Sequence, residues 1–200
     1  MKKVFTFAII ALMAVSCKKN EQAPATYEVS DASIIDWDGH ASDHSNQGSF
    51  DVSGSLVSTS SGLIKEGKFV IPIASIDNYN LPDEVKPQLL EHLKSADFFN
   101  MVLFPTAEFV ITKVQPYPGG VEDAINDANY LLTGDFSMVG QTHKLSFPAR
   151  INHTTQAITA EAYFKLDRTK WGMNSYTNPS EGLYIQPNVD IHLDIEAIRK

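Results

Sequence analysis

The chain has 200 residues but only one cysteine, Cys17, and this scarcity excludes two ways of stabilising a fold. A single thiol cannot form an intrachain disulfide, and it cannot supply the ligands of a cysteine-based zinc cluster. The fold must therefore rest on a hydrophobic core. Hydrophobic residues make up 43% of the chain, which is enough for one domain with a sizeable core or an internal cavity.

Positive charge is also scarce, because 16 Lys and Arg residues stand against 24 Asp and Glu residues and give a formal net charge of -8. A surface of this sign repels nucleic-acid phosphates and anionic lipid headgroups. We therefore expect no nucleic-acid partner.

Long hydrophobic runs are missing too. Residues 4–15 are apolar except for Thr6 and follow a short basic start, but about 20 apolar residues are needed to span a bilayer. The segment is typical of a secretory signal peptide, which we place at 1–16. The sequence Ala14-Val-Ser-Cys17 resembles a bacterial lipobox, so Cys17 is the expected site of lipid attachment. An ordinary signal peptide with an incidental cysteine is the alternative.

The segment after this cysteine is polar and unpatterned, and we interpret 17–26 as a lipidated flexible tether. The folded domain is then expected at 27–200. The predicted location is the bacterial cell envelope, as a membrane-anchored lipoprotein that faces the periplasm or the cell surface.

Motifs for catalysis and for metal binding are not found. The sequence has no Gly-x-Ser-x-Gly nucleophile elbow and no glycine-rich phosphate loop. His40 and His44 have helical spacing but lie in a Gly/Ser/Asp-rich segment, and a solvated strand face explains His192 and Asp194. We expect no catalytic residue, no metal and no enzyme activity.

The pattern that dominates the sequence is strand-like alternation. Four segments that begin at Tyr130, His143, Ile158 and Val189 alternate apolar and polar residues. Shorter segments of the first half repeat the pattern, while 38–48 is predicted as a loop from its composition. About eight one-sided strands predict an all-β fold, either a barrel or a sandwich. An eight-stranded barrel can be filled by side chains or hold one small ligand.

One segment interrupts the alternation with a helical period. Leu89, Leu93 and Ala96 lie on one face of a helix, and Asp83 is a candidate N-cap with Pro87 in the first turn. We predict a short helical insert around residues 83–99 that acts as a lid or a plug.

Several blocks occur in the order found in one family. They are residues 67–76, HLKSADFF at 92–99, 104–109, 132–143 and DRTKWG at 167–172. In this ordered set the chain resembles the YceI-like proteins, and its lipobox resembles a membrane-tethered branch of them. One departure is that His44-Ser-Asn-Gln-Gly48 is longer than the His-x-Gly that the family often has.

The resemblance implies a lipocalin-like, eight-stranded antiparallel β-barrel whose interior binds a long amphiphile. The ligand would be a polyisoprenoid, an isoprenoid quinone or a fatty-acid derivative, and a homodimer is possible in such proteins. A filled barrel that serves as a periplasmic interaction or stress-response protein is the alternative, and a lipid- or carbohydrate-modifying enzyme is a less favoured one. No cofactor is expected beyond such a bound lipid.

The candidate ligand contacts are apolar residues of the strands and the insert, together with one cation near the predicted mouth. Arg168 is the head-group candidate, since a guanidinium can bind a phosphate, a carboxylate or a quinone carbonyl; an ion pair with Asp167 or stacking on Trp171 is the structural alternative. His92 and His143 are expected to be structural. The full set is Leu93, Phe98, Phe99, Phe109, Phe136, Met138, Phe147, Phe164, Arg168 and Trp171.

Overall fold

The computed structural model describes residues 24–59, 62–180 and 182–200. Eleven strands, one α-helix and two 3-10 helices follow one another in these parts of the chain. They are β1 (Ala25–Val29), β2 (Ile34–Ala41), β3 (Ser45–Asp51), β4 (Ser53–Ser58), β5 (Ile64–Pro72), η1 (Ile73–Ser75), β6 (Asp77–Asn78), α1 (Lys86–Lys94), β7 (Thr106–Pro116), β8 (Tyr130–Met138), β9 (Gln141–His153), β10 (Ala157–Asp167), η2 (Arg168–Trp171) and β11 (Ile185–Arg199). Within the described ranges, no helix has the length and apolar character needed to cross a membrane.

The sheet closes into an eight-stranded antiparallel barrel. Its ring runs β1-β4-β5-β7-β8-β9-β10-β11 and returns to β1, where Tyr27 pairs with Arg199 and Val29 with Ala197. Strand β11 also pairs with β2, so β1 and β2 are two halves of one bent strand. The predictions of an all-β fold and of a lipocalin-like barrel with one short helix are confirmed.

Alternation decides which side chains enter the barrel. In β8 every second residue is buried, from Leu132 through Gly134 and Phe136 to Met138. The strand then turns into β9 through Val139 and Gly140, which both have positive φ angles of 49° and 72°. Two such residues form the tight turn that matches the twist of a hairpin.

Two predicted boundaries differ from the structure. The segment 38–48 is not a loop, because β2 and β3 pair through it and leave only residues 42–44 as a turn; the polar composition reflects the strands' outer face. Strand β1 begins at Ala25, inside the predicted tether, because Thr26 pairs with Val57. The signal peptide at 1–16 and Cys17 lie outside the described residues.

The helical insert is shorter than predicted. Helix α1 covers Lys86–Lys94 instead of 83–99, and Val85, not Asp83, occupies the N-cap position without a side-chain hydrogen bond. Pro87 lies in the first turn, where its missing N–H costs nothing. Ser95 ends the helix, and Asn100, with a φ of 46°, reverses the chain toward β7.

One end of the barrel, where β1 and β4 complete the ring, is packed solid; we call it the filled end. Gly67 of β5 allows this packing, since an added Cβ would lie 2.6 Å from the Leu56 side chain and 2.8 Å from that of Ile111. The side chains of the filled end are Tyr27, Leu56, Ile64, Ile111, Ile151, Ile158 and Ala197.

Candidate functional site

The opposite end of the barrel encloses a cavity of about 320 Å³, and we call it the hollow end. Its wall combines inward residues of the strands with α1, η1 and the segment that follows η2. The lining is mainly apolar; besides the indole of Trp37, its polar side chains are those of His44, Asn46, His92 and Arg168, whereas the side chain of Glu161 pairs with Arg150 on the outer face. The volume lies at the lower end of the range of about 300–1,000 Å³ for small-molecule sites.

A row of phenylalanine rings forms one side of the wall. Phe147 stacks on Phe164 with ring centroids 4.4 Å apart, and it also contacts Phe109 at 5.5 Å. Phe109 contacts Phe69 at 6.5 Å. Gly134 makes room for this row, because an added Cβ would lie 2.4 Å from the Phe109 ring. The strands thus present a continuous aromatic surface to the cavity.

The insert covers the hollow end from outside the ring. Leu89 and Leu93 of α1 line the cavity together with Phe98 and Phe99, which follow the helix. The Phe99 ring meets Phe50 edge-on at 5.6 Å, so the insert is fastened to β3 by an aromatic contact. The insert therefore forms part of the cavity wall, which both the lid and the plug interpretations required.

Nine of the ten predicted ligand contacts line the cavity: Leu93, Phe98, Phe99, Phe109, Phe136, Met138, Phe147, Phe164 and Arg168. Their contact with a ligand stays a prediction. Trp171 does not line the cavity, because its indole lies behind the wall, edge-on to Phe136 at 5.3 Å, and donates to the Phe136 carbonyl at 3.0 Å. Its place in the predicted ligand set is therefore not supported.

Arg168 is 4% exposed, and its guanidinium organises the loop between η2 and β11. Nε donates to the Gln186 carbonyl at 3.2 Å, and Nη2 donates to the carbonyls of Ser175 and Ile185, both at 3.0 Å. Nη1 donates to the Met173 carbonyl. Two hydrogen bonds to the loop and two to the first residues of β11 make this side chain a structural anchor at the cavity edge.

Neither predicted structural role of Arg168 matches its surroundings. Among the described residues no carboxylate oxygen lies within 4.0 Å of the guanidinium, and Asp167 instead accepts from Thr169. The guanidinium lies 5.7 Å from the centre of the Phe98 ring. Burial lowers the pKa of Arg168, against the opposing effect of Asp167, but an arginine still stays protonated.

The two histidines of the predicted site region have different places. His92 lines the cavity and packs edge-on against Phe98 and Tyr176, at 5.1 Å and 5.7 Å. His143 lies outside the lining and packs on Trp171 at 5.3 Å. The aromatic contacts agree with structural roles for both rings.

Several cavity residues lie outside the predicted set. Asn46 lines the cavity from β3, in the region interpreted as a loop, and Trp37 lines it from β2, directly before that region. Ile191 and Leu193 of β11 line it as well, and they had been recognised only as an apolar strand face. The alternating apolar residues Ile35 and Trp37 are the sequence signal that could have indicated the contribution of β2 to the cavity wall.

The outer face carries an ionic cluster. Arg150 of β9 pairs with Glu161 of β10, whose other oxygen lies 3.3 Å from His192 Nε2. The other nitrogen of His192 lies 3.6 Å from Asp36. In the described parts of the chain, no three His, Cys, Asp or Glu side chains are placed to hold a metal ion.

A closed antiparallel barrel with one hollow, apolar end defines the lipocalin-like class of small β-barrels. The YceI-like domain matches residues 25–197. The chain belongs to the YceI-like family. None of the curated proteins matches it.

Solved structures share the fold at low sequence identity. BcnA of Burkholderia cenocepacia is 16% identical over 84% of this chain and 98% of its own, with a TM-score of 0.60. A polyisoprenoid binding domain from Saccharophagus degradans is 11% identical over 88% and 99%, with a TM-score of 0.63. The YCEI protein of Campylobacter jejuni is 16% identical over 100% and 99%, with a TM-score of 0.52.

Proposed function

We propose that the chain binds one long-chain amphiphile in the cavity of the hollow end, as a membrane-tethered carrier or store. The ligand class is a polyisoprenoid, an isoprenoid quinone or a fatty-acid derivative. The observation that carries this proposal is the apolar cavity of about 320 Å³ inside a closed barrel. The polyisoprenoid binding domain from Saccharophagus degradans, which has the same fold, supports the choice of ligand class.

Binding of the tail needs no catalytic group. Apolar surface that leaves water contributes about 25 cal/mol per Å². A tail that buries ~500 Å² would gain on the order of 10 kcal/mol before ordering costs. The phenylalanine row and the α1 leucines supply the surface against which such a tail can pack.

The cavity also sets a limit on the ligand. Its volume is near the lower end for drug-sized ligands, so a long polyisoprenoid would be enclosed along part of its length, with the remainder outside or in space opened by the insert. The cavity argues against the alternative of a completely filled barrel.

The carrier role depends on the predicted N-terminus. An acyl chain gains about 0.8 kcal/mol per buried methylene, and two or more chains anchor stably. Lipidated Cys17 would hold the barrel beside the bilayer that supplies the ligand. The proposal includes lipid attachment at Cys17, location in the bacterial cell envelope and a homodimer.

Extraction of the natively produced protein with organic solvent, followed by mass spectrometry, tests the ligand directly. We expect close to one amphiphile per chain. A matched preparation of a variant with a blocked cavity, Ala160→Phe, should release little. Absence of stoichiometric lipid, together with no uptake of a fluorescent isoprenoid analogue, would refute the proposal.

A further inference from the structure

One polar group of the cavity wall has no partner. Trp37 of β2 is 8% exposed and lines the cavity, yet its indole N–H makes no hydrogen bond within the described residues. A buried indole N–H normally finds an acceptor, since leaving a donor unpaired costs about 1–3 kcal/mol. Trp171, the other tryptophan, does so by donating to the Phe136 carbonyl.

A second unpartnered group lies on the neighbouring strand. Asn46 of β3 faces Gly39 in the β2–β3 register and lines the same cavity, and its Oδ1 atom is buried without a hydrogen-bond partner in the described structure.

Two glycines hold the indole against the strands. A Cβ added to Gly48 would lie 2.8 Å from Cζ2 of Trp37, and one added to Gly39 would lie 3.8 Å from Cζ3. Gly48 also approaches the Asp77 carbonyl too closely for any side chain. The ring thus lies along β2 and β3, where side chains would otherwise stand. The absence of side chains at these two positions therefore leaves room for the indole ring beside the strands.

We propose that Trp37 and Asn46 form the head-group subsite of the cavity and recognise a neutral head that carries a hydroxyl or carbonyl oxygen. This inference rests on the proposed function. A hydroxyl oxygen accepts from the indole N–H while its proton is donated to Asn46 Oδ1. A carbonyl accepts from the indole N–H and, after rotation of the amide, from Nδ2 of Asn46.

The charges around the cavity favour a neutral head over an anionic one. The guanidinium of Arg168 already donates four hydrogen bonds to backbone carbonyls. His44, at the β2–β3 turn, pairs with Asp43 at 2.7 Å, so its positive charge is offset when it is protonated. A phosphate or carboxylate at Trp37 would be buried with neutral donors alone, which is costly.

Nitrogen–proton NMR of the labelled protein observes the indole N–H signal of Trp37 directly, because the chain has only two indole N–H groups. Addition of decanol should shift the Trp37 signal downfield and leave that of Trp171 in place, whereas decane should produce no hydrogen-bond shift at Trp37. Methyl signals of the cavity wall report whether either probe has entered. Entry of decanol without a response at Trp37 would overturn the subsite while leaving the proposed function intact.

Two variants give an independent measure. Trp37→Phe and Asn46→Leu should each lower the affinity ratio of decanol to decane by about 5- to 10-fold, with decane binding retained. Asn152→Leu, on the exposed face of β9, is the matched control and should leave the ratio unchanged.

An unchanged ratio in both cavity variants would refute the subsite alone. Tighter binding of decanoate through the same two residues would refute a neutral head. Failure of the unmodified protein to bind any probe would reject both the subsite and the proposed function.

Discussion

The filled and hollow ends are built from the same strands but pack differently. At the filled end Tyr27, Leu56 and Ala197 are 0–2% exposed. At the hollow end Phe164 and Ile191 also point inward, yet they are only half-buried because they face the cavity. In this barrel the tightly packed end supplies stability, and the other end leaves the space in which we propose that the ligand binds.

The geometry of closure explains the difference. Where β1 pairs with both β4 and β11, the ring is complete and side chains from opposite walls meet. Beyond residue 30 the same chain continues as β2, whose partner β3 carries only the two-residue β6 on its other side. There α1 and the loop held by Arg168 complete the wall, and they leave space between them.

The largest expected effect is on stability, from a truncation at the filled end. Leu56→Ala should lower the free energy of unfolding by about 2–5 kcal/mol, because its tightly packed neighbours cannot collapse into the gap. Leu145→Ala, at a half-buried position in the cavity wall, is the matched change and should cost about 1 kcal/mol. Urea denaturation of both variants measures the difference, and equal costs would contradict the division of the barrel.

Arg168 belongs to the hollow end but is expected to act through structure. Arg168→Lys removes donors from several buried carbonyls and should cost about 2–4 kcal/mol, with faster hydrogen exchange in residues 173–186. Arg150→Lys, which alters a half-exposed ion pair with Glu161, should cost less than about 1 kcal/mol. Loss of ligand affinity in Arg168→Lys without a loss of stability would instead indicate a head-group contact.

A smaller loss of stability is expected from a substitution of Tyr27, where the filled end meets water. The hydroxyl of Tyr27 lies 3.0 Å from His153 Nε2, and Tyr27→Phe should lower the free energy of unfolding by about 1 kcal/mol. Uptake of a fluorescent isoprenoid analogue should be unchanged, because Tyr27 does not line the cavity. Reduced uptake would show that the two ends are coupled.

Alternation in the sequence was sufficient to predict the inward faces and an all-β fold, either a barrel or a sandwich, and the resemblance to the YceI-like family selected the barrel. Alternation could not separate the two ends: Ile158 and Phe164 lie on the same face of β10, but only Phe164 reaches the cavity. That separation depends on the pairing of Tyr27 with Arg199, which joins the two termini of the domain.

Local composition was the source of the main errors. The polar residues of 38–48 suggested a loop and so concealed the contribution of Asn46 to the cavity. Trp171 was predicted as a ligand contact, but η2 turns its indole toward the Phe136 carbonyl. Such orientations depend on neighbours that are distant in sequence.

The most direct test of the account is a titration that compares two additions of the same ring to β10. Ala160→Phe places a phenyl group in the cavity, and Thr159→Phe places one on the exposed face of the adjacent position. With a fluorescent isoprenoid analogue, the unmodified protein and Thr159→Phe should saturate near one molecule per chain, and folded Ala160→Phe should lose most of this binding. Equal uptake by all three would contradict the claim that the hollow end holds the ligand.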